Sequence, residues 1–220
     1  MTDHRTRFLQ LALRVEALRF GEFTLKSGRT SPYFFNAGRF DGGAALAELA
    51  ACYADAIDEA GVGFDVLFGP AYKGIPLATA LGCEFARRGR DIPLAFNRKE
   101  AKAHGEGGLL IGAPLAGRRV LIVDDVITAG TAIREALGII AAAGGVVAGI
   151  VIALDRQEAV DPTLSRRSAA QTVAIEHRLP VVAVASLADL LAFTGNSVEL
   201  TAQREQLLAY RERYGSAESA

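Results

Sequence analysis

Residues 120–132 read VLIVDDVITAGTA, an apolar run that ends on two adjacent carboxylates, Asp124 and Asp125, and continues into Thr128-Ala129-Gly130-Thr131. Neighbouring carboxylates repel one another and gain nothing from apolar residues, so something else has to account for them, either a solvated strand end or a bound partner. Small and hydroxyl residues ahead of a helix leave loop and helix-start N–H groups unsatisfied. Together with the helix dipole, these favour an anion. No Gly-Lys-Ser/Thr follows, which separates the segment from a Walker loop. The carboxylates can accept hydrogen bonds from sugar hydroxyls or face a metal. A phosphate at one end and a diol in the middle describe a phosphorylated ribose.

Four other segments carry related chemistry. GPAYKG (69–74) has glycines that let backbone approach an anion closely and adds Lys73, although an ordinary turn reads the same way. NRKEAKAHGEGG (97–108) gathers Arg98, Lys99, Lys102 and His104 within seven residues, then three glycines in four. Such a stretch is either a solvated loop or a mobile lid over a pyrophosphate leaving group. FTLKSGRTSPYFFNAG (23–38) offers Lys26 and the pair Phe34-Phe35. Adjacent strand residues point to opposite faces, so both phenylalanines cannot be core on one side. Arg156 follows the apolar run GIVIALD; it is either a surface residue or the planar fork that a carboxylate prefers.

These side chains need elements to hold them, and the hydrophobic pattern supplies an alternation. Residues 3–19 predict an amphipathic helix using Phe8, Leu11, Leu13, Val15 and Leu18. FTLK and SPYFF predict two short strands around the turn residues 27–30, and 42–60 predict an Ala-rich helix ending at Gly61. From there strands are expected at 64–68, 92–96, 118–124, 146–154 and 180–186. Helices are expected at 75–88, 130–143 and 165–178, with more after the last strand. Short apolar strands alternating with helices imply an α/β fold with a parallel sheet covered on both faces. Ligands of such sheets bind beyond the carboxyl ends of the strands, where GPAYKG, the 97–108 segment, DDVITAGT and Asp155-Arg156 all fall.

Bulk composition narrows the function. The 220 residues are 50% hydrophobic and 22% charged, a globular composition. A net charge of −1 argues against a nucleic-acid partner. Cys52 and Cys83 are far apart in helix-like surroundings and read as reduced structural thiols. The start, MTDHRTRFLQ, lacks a signal-peptide pattern, and the expected location is cytoplasmic. Residues 137–154 are 18 uncharged, mostly apolar residues, a length that suggests a membrane span. The Gly144-Gly145 pair instead predicts a helix stop followed by a buried parallel strand.

VLIVDDVITAGTA resembles the 5-phosphoribosyl-1-diphosphate (PRPP) binding signature of type I phosphoribosyltransferases, a long and specific pattern. The resemblance runs from the first helix to about residue 200 and is closest to the branch of that family that uses orotate. It implies a Rossmann-like parallel sheet flanked by helices, with a small N-terminal hood subdomain. Residues 1–62 would form the N-terminal helix and hood, 63–200 the PRPP-binding core, and 201–220 a helical tail. A receiver module also carries paired acids after a strand. There, however, the acids follow the first strand and a third Asp comes about two strands later, whereas VVAVAS ends without an acid.

The resemblance also implies roles. PRPP would be held by Lys26, Tyr72, Lys73, Arg98, Lys99, Lys102 and His104. The signature itself would add Asp124, Asp125, Val126, Ile127, Thr128, Ala129, Gly130, Thr131 and Ala132. Orotate would meet Lys26, Phe34, Phe35, Thr128 and Arg156, with Lys102, Asp124 and Asp125 catalytic. Mg²⁺ would be the cofactor, bound mainly through PRPP and water rather than by protein ligands. The basic loop would close over the PRPP of a neighbouring subunit, implying a homodimer with shared sites. Two rivals differ in class: a transferase for another base, and a PRPP-sensing regulator. Purines lack the carboxylate that Arg156 would take, and residues 1–19 are too short for a helix-turn-helix domain.

Overall fold

The computed structural model describes residues 3–25, 27–100, 109–161 and 165–217. Helix α1 (His4–Arg14) starts where the Asp3 carboxylate accepts from the amides of Arg5 and Thr6. It buries Phe8, Leu9, Leu11 and Ala12. The expected continuation to residue 19 is corrected. Glu16 turns the chain with φ 57°, and Leu18 opens strand β1 (Leu18–Thr24). Leu18 is buried as the helical spacing required, but its partner is Phe35 across an antiparallel hairpin with β2 (Thr30–Phe35). Helix α2 (Gly43–Ala60) then runs to Gly61, whose left-handed φ of 65° ends it.

The alternating core follows in chain order. It comprises β3 (Val66–Gly69), α3 (Gly74–Arg87), β4 (Leu94–Asn97), β5 (Leu110–Gly112), β6 (Arg119–Asp124), α4 (Thr131–Ala142) and β7 (Val146–Asp155). Next come β8 (Ala159–Asp161), β9 (Ser165–Ser168), α5 (Ala169–His177), β10 (Val181–Ser186), α6 (Leu187–Gly195) and α7 (Thr201–Tyr214). One six-stranded sheet has the order β10-β7-β6-β3-β4-β5, parallel except for β5 at the edge. Only three residues long, β5 left no periodic signal in the sequence. The uncharged run 137–154 divides as expected, with Gly144 at φ 75° between α4 and β7. Among the described residues no helix is long and apolar enough to cross a membrane.

Strand alternation loads both faces of the sheet. Leu67, Leu121, Val123, Val151 and Ala153 join the core beneath α1, α2, α3 and α6. Val66, Phe68, Val120, Ile122, Ile150 and Ile152 pack with Ile133, Ala136 and Ile140 of α4 and with Ala170 and Val173 of α5. Each fully buried aliphatic side chain contributes about 1.5–3 kcal/mol relative to exposure. Helix α5 begins four residues later than its spacing suggested. Ser165–Ser168 pair with β8, and the Ser168–Gln171 capping box sets the helix start. Both cysteines are free; Cys52 is buried, which pushes its thiol up to about 11, whereas Cys83 is exposed.

The turn from β3 into α3 is packed without spare space. A Cβ on Gly69 would lie 2.4 Å from the Gly74 carbonyl oxygen and 3.0 Å from the Ala78 Cβ. Gly69→Ala is therefore expected to destabilise the chain by about 1–3 kcal/mol, lowering Tm by about 2–4 °C per kcal/mol. An unchanged thermal midpoint would mean that this turn shifts freely.

Candidate active site

Parallel pairing aligns the carboxyl ends of β3, β4, β6 and β7 along one edge, and the polar segments gather there. At the end of β6, Asp124 and Asp125 are both buried. The Asp125 amide donates to Asp124 Oδ1 and the Val126 amide to Asp125 Oδ1, each at 2.9 Å. From α2, the buried Tyr53 hydroxyl donates to the Asp124 carbonyl at 2.8 Å. Burial holds that phenol far above its ordinary pKa, so it remains a donor. Burial first, and the Asp125 charge second, push the Asp124 carboxyl up to about 7.

The β3–α3 loop presses against these acids. A Cβ on Gly74 would meet the Val123 carbonyl oxygen at 2.7 Å, so only glycine lets the loop sit this close to β6. Lys73 Nζ then reaches Asp125 Oδ2 at 2.7 Å while its side chain stays 60% exposed. Asp125 itself is buried, but the lysine end is open to water and can turn from Asp125 to an incoming anion. Tyr72 beside it is 71% exposed, and the peptide before it is cis. The Asn97 amide oxygen, buried at the end of β4, accepts from the Ala71 amide at 2.8 Å and pins the loop.

After the acids, the chain runs through Val126 and Ile127 into exposed Thr128 and Ala129, then Gly130 in the left-handed region at φ 71°. Exposed Thr131 and Ala132 open α4. Among the described residues, no acceptor bonds the amides of 128–131. Free N–H groups at the start of a 12-residue helix make a site for a phosphate-sized anion. Arg98 is half-buried, and its amide donates to the Leu109 carbonyl at 2.7 Å. The basic segment therefore leaves and rejoins the sheet beside this edge. Lys99 lies 3.7 Å from Glu135 of α4. Lys26, Lys102 and His104 lie outside the described residues.

Arg156 closes the other side, one residue past β7. It is no surface arginine: its side chain is 16% exposed, with the guanidinium 4.5 Å above the Tyr33 ring and 3.3 Å from Ser31 Oγ. The β1–β2 hairpin thus packs directly on the carboxyl edge. Phe34 and Phe35 diverge as strand geometry requires. Phe35 packs with Phe8 and Phe40 at 6.1 and 6.3 Å, whereas Phe34 meets Phe23 of the same hairpin at 5.4 Å. Sequence reasoning passed over Tyr53, Asn97, Tyr33 and Glu158. Only Asn97 carried a signal, a buried-strand end followed at once by a basic run.

Among the described residues, no group of three or more acidic, His or Cys side chains is gathered to hold a metal. The two carboxylates suit hydroxyl groups of a sugar, the free amides suit a phosphate, and Lys73 suits further anionic oxygen. Residues 40–173 match the phosphoribosyl transferase domain. Over 216 residues the chain is 76% identical to the orotate phosphoribosyltransferase of Xanthomonas campestris pv. campestris (strain B100), with 98% of each sequence covered. The solved orotate phosphoribosyltransferase of Francisella tularensis is similar at TM-score 0.85 and 40% identity, covering 95% of this chain and 96% of that one. The Mycobacterium tuberculosis orotate phosphoribosyltransferase, solved in complex with PRPP, is similar at TM-score 0.63 and 27% identity, covering 85% and 98%.

The raised Asp124 pKa has a definite consequence for stability. Below the ordinary carboxylate range, folded and unfolded chains both hold the proton. As pH rises from there through about 7, the unfolded chain ionises first, and the stability this group contributes is lost. Asp124→Asn removes that loss. Its unfolding free energy from urea titration is expected to gain on the parent's between pH 4 and pH 8, by on the order of 1 kcal/mol or more. A pH-independent difference would show Asp124 to be ionised throughout.

Proposed function

Because the chain belongs to the orotate phosphoribosyltransferase family, we propose that it transfers the 5-phosphoribosyl group of PRPP to orotate. The products are orotidine 5′-monophosphate and pyrophosphate, a step of pyrimidine biosynthesis. What carries this reading is the meeting, on one sheet edge, of a sugar-and-phosphate loop and a buried arginine stacked on an aromatic ring. Arg156 offers orotate's carboxylate a planar partner that uracil and purines would leave unpaired in a desolvated site.

The C1–oxygen bond to pyrophosphate breaks and a C1–nitrogen bond to the base forms, so positive charge develops at the anomeric carbon. Asp124 and Asp125 accept from the ribose hydroxyls and steady that charge. The amides of 128–131 hold the 5′-phosphate, and Tyr72, Lys73 and Lys26 line the PRPP. Thr128 and Arg156 hold orotate, with Phe34 the more available of the two phenylalanines to lie against its ring. Mg²⁺, carried in mainly by PRPP and water, neutralises the leaving pyrophosphate when bound. Arg98, Lys99, Lys102 and His104 close over the PRPP of the adjoining subunit and exclude water, Lys102 contributing most to catalysis. This arrangement needs a two-fold homodimer, and the proposed setting is the cytoplasm.

A spectrophotometric assay with orotate, PRPP and Mg²⁺, and with uracil and hypoxanthine in parallel, tests the function. Loss of orotate absorbance that requires both PRPP and metal is expected, with both controls silent. Turnover of another base alone would overturn the base assignment. For the shared site, Lys102→Ala and Asp125→Asn chains are each expected to be nearly inactive and to recover activity when exchanged into mixed dimers. No recovery despite demonstrated exchange would mean that each site is built within one chain.

A further inference from the structure

We infer that Glu158 is a positioning residue for orotate recognition, holding the Arg156 guanidinium with one edge turned to the ligand. The inference rests on the reading that Arg156 takes the base's carboxylate. Glu158 Oε1 accepts from Arg156 Nε at 2.8 Å and lies 2.6 Å from Nη2 in an ion pair. Ser31 Oγ lies 3.3 Å from Nη2, and the Tyr33 ring supports the guanidinium plane from below. Among the described residues, no acceptor bonds Nη1. Of the donors in the rigid fork, Nε and Nη2 are engaged by Glu158 and Ser31, and the two N–H groups of Nη1 remain for a ligand.

Glu158 is itself fixed in place. Its backbone bridges Gly215 just past α7, and the Ser216 amide donates to the Gln157 carbonyl at 2.7 Å. Arg29 Nη1 of the hairpin turn donates to the Ala159 carbonyl at 2.9 Å. Gln157, between the two charged residues, adopts φ 48°, which a non-glycine residue holds only when its surroundings over-determine it. Its amide donates to Asp155 Oδ1 and its side-chain oxygen accepts from the Ala188 amide, both at 2.9 Å. The C-terminal segment thereby straps down the stretch that carries both members of the pair. This assigns the tail a part in base recognition.

Two effects of Glu158 oppose each other. Its charge cancels part of the attraction that Arg156 exerts on an anion. Its hydrogen bonds remove the freedom of a long side chain before the ligand arrives. A buried ion pair contributes little net stability, which leaves orientation as the effect with functional content. The sign of a substitution separates the two, because a competitor for Arg156 would weaken orotate binding and a positioning residue strengthens it.

The test is steady-state kinetics of the full chain, varying orotate and PRPP separately. Glu158→Ala is expected to raise the orotate KM about tenfold or more while the PRPP KM stays within about twofold. Glu158→Gln, which keeps the Oε1 acceptor, is expected to recover most of the loss. An orotate KM that is unchanged or lower in Glu158→Ala, or a Gln variant no better than Ala, overturns the inference. Should Glu158→Ala not fold, Glu158→Asp replaces it, since the charge stays and the carboxylate withdraws by one methylene. An unchanged orotate KM there also overturns the inference. Arg156→Ala separates the premise from the inference. If it leaves the orotate KM unchanged, the assignment of Arg156 fails. If it raises the KM while the Glu158 variants do not, only the role of Glu158 falls.

Discussion

Two carboxylates at the end of a buried parallel strand carry an electrostatic cost, and much of the surrounding structure offsets it. Asp124 and Asp125 each accept a backbone amide of the following residue, Asp125 also meets Lys73, and Tyr53 secures the strand end from α2. Even so, burial keeps Asp124 well above its ordinary pKa. The close packing at Gly69 and Gly74 brings the β3–α3 loop against the end of β6, where Lys73 meets Asp125. The free amides ahead of α4 need less apparatus, because any helix of this geometry leaves its first N–H groups without intrahelical partners.

The base side is assembled differently. Arg156 stands at the end of β7, but what surrounds it comes from both ends of the chain: Ser31 and Tyr33 from the N-terminal hairpin, Tyr210 of α7 edge-on to Tyr33 at 6.3 Å, and the bridge to Gly215. The surroundings of Arg156 therefore depend on correct docking of hairpin and tail on the sheet, whereas the paired acids and the free amides lie within one strand–loop–helix unit.

By itself, the sequence determined the alternation of strand and helix, the coverage of both sheet faces and the strand ends at which the polar segments gather. It also disclosed the whole of the loop from Asp124 to Ala132. These are local matters: apolar period, glycine stops and a contiguous set of donors and acids are all written within a few residues. Its errors were local as well. Leu18 satisfied a helical spacing equally well from a strand, and Ser165–Ser168 took part in a hairpin before the capping box could start α5.

Only the tertiary structure decided which polar residues support the site. Asn97 reaches Ala71 across 26 residues of chain, and Tyr53 reaches Asp124 across 71. It also turned Phe35 toward the core and Phe34 away from it, and made Arg156 a buried fork on an aromatic ring. The physical reason is common to all of these. A hydrogen bond or stacked ring depends on distance in space, and for residues far apart in the chain that distance exists only after the sheet has aligned its carboxyl ends.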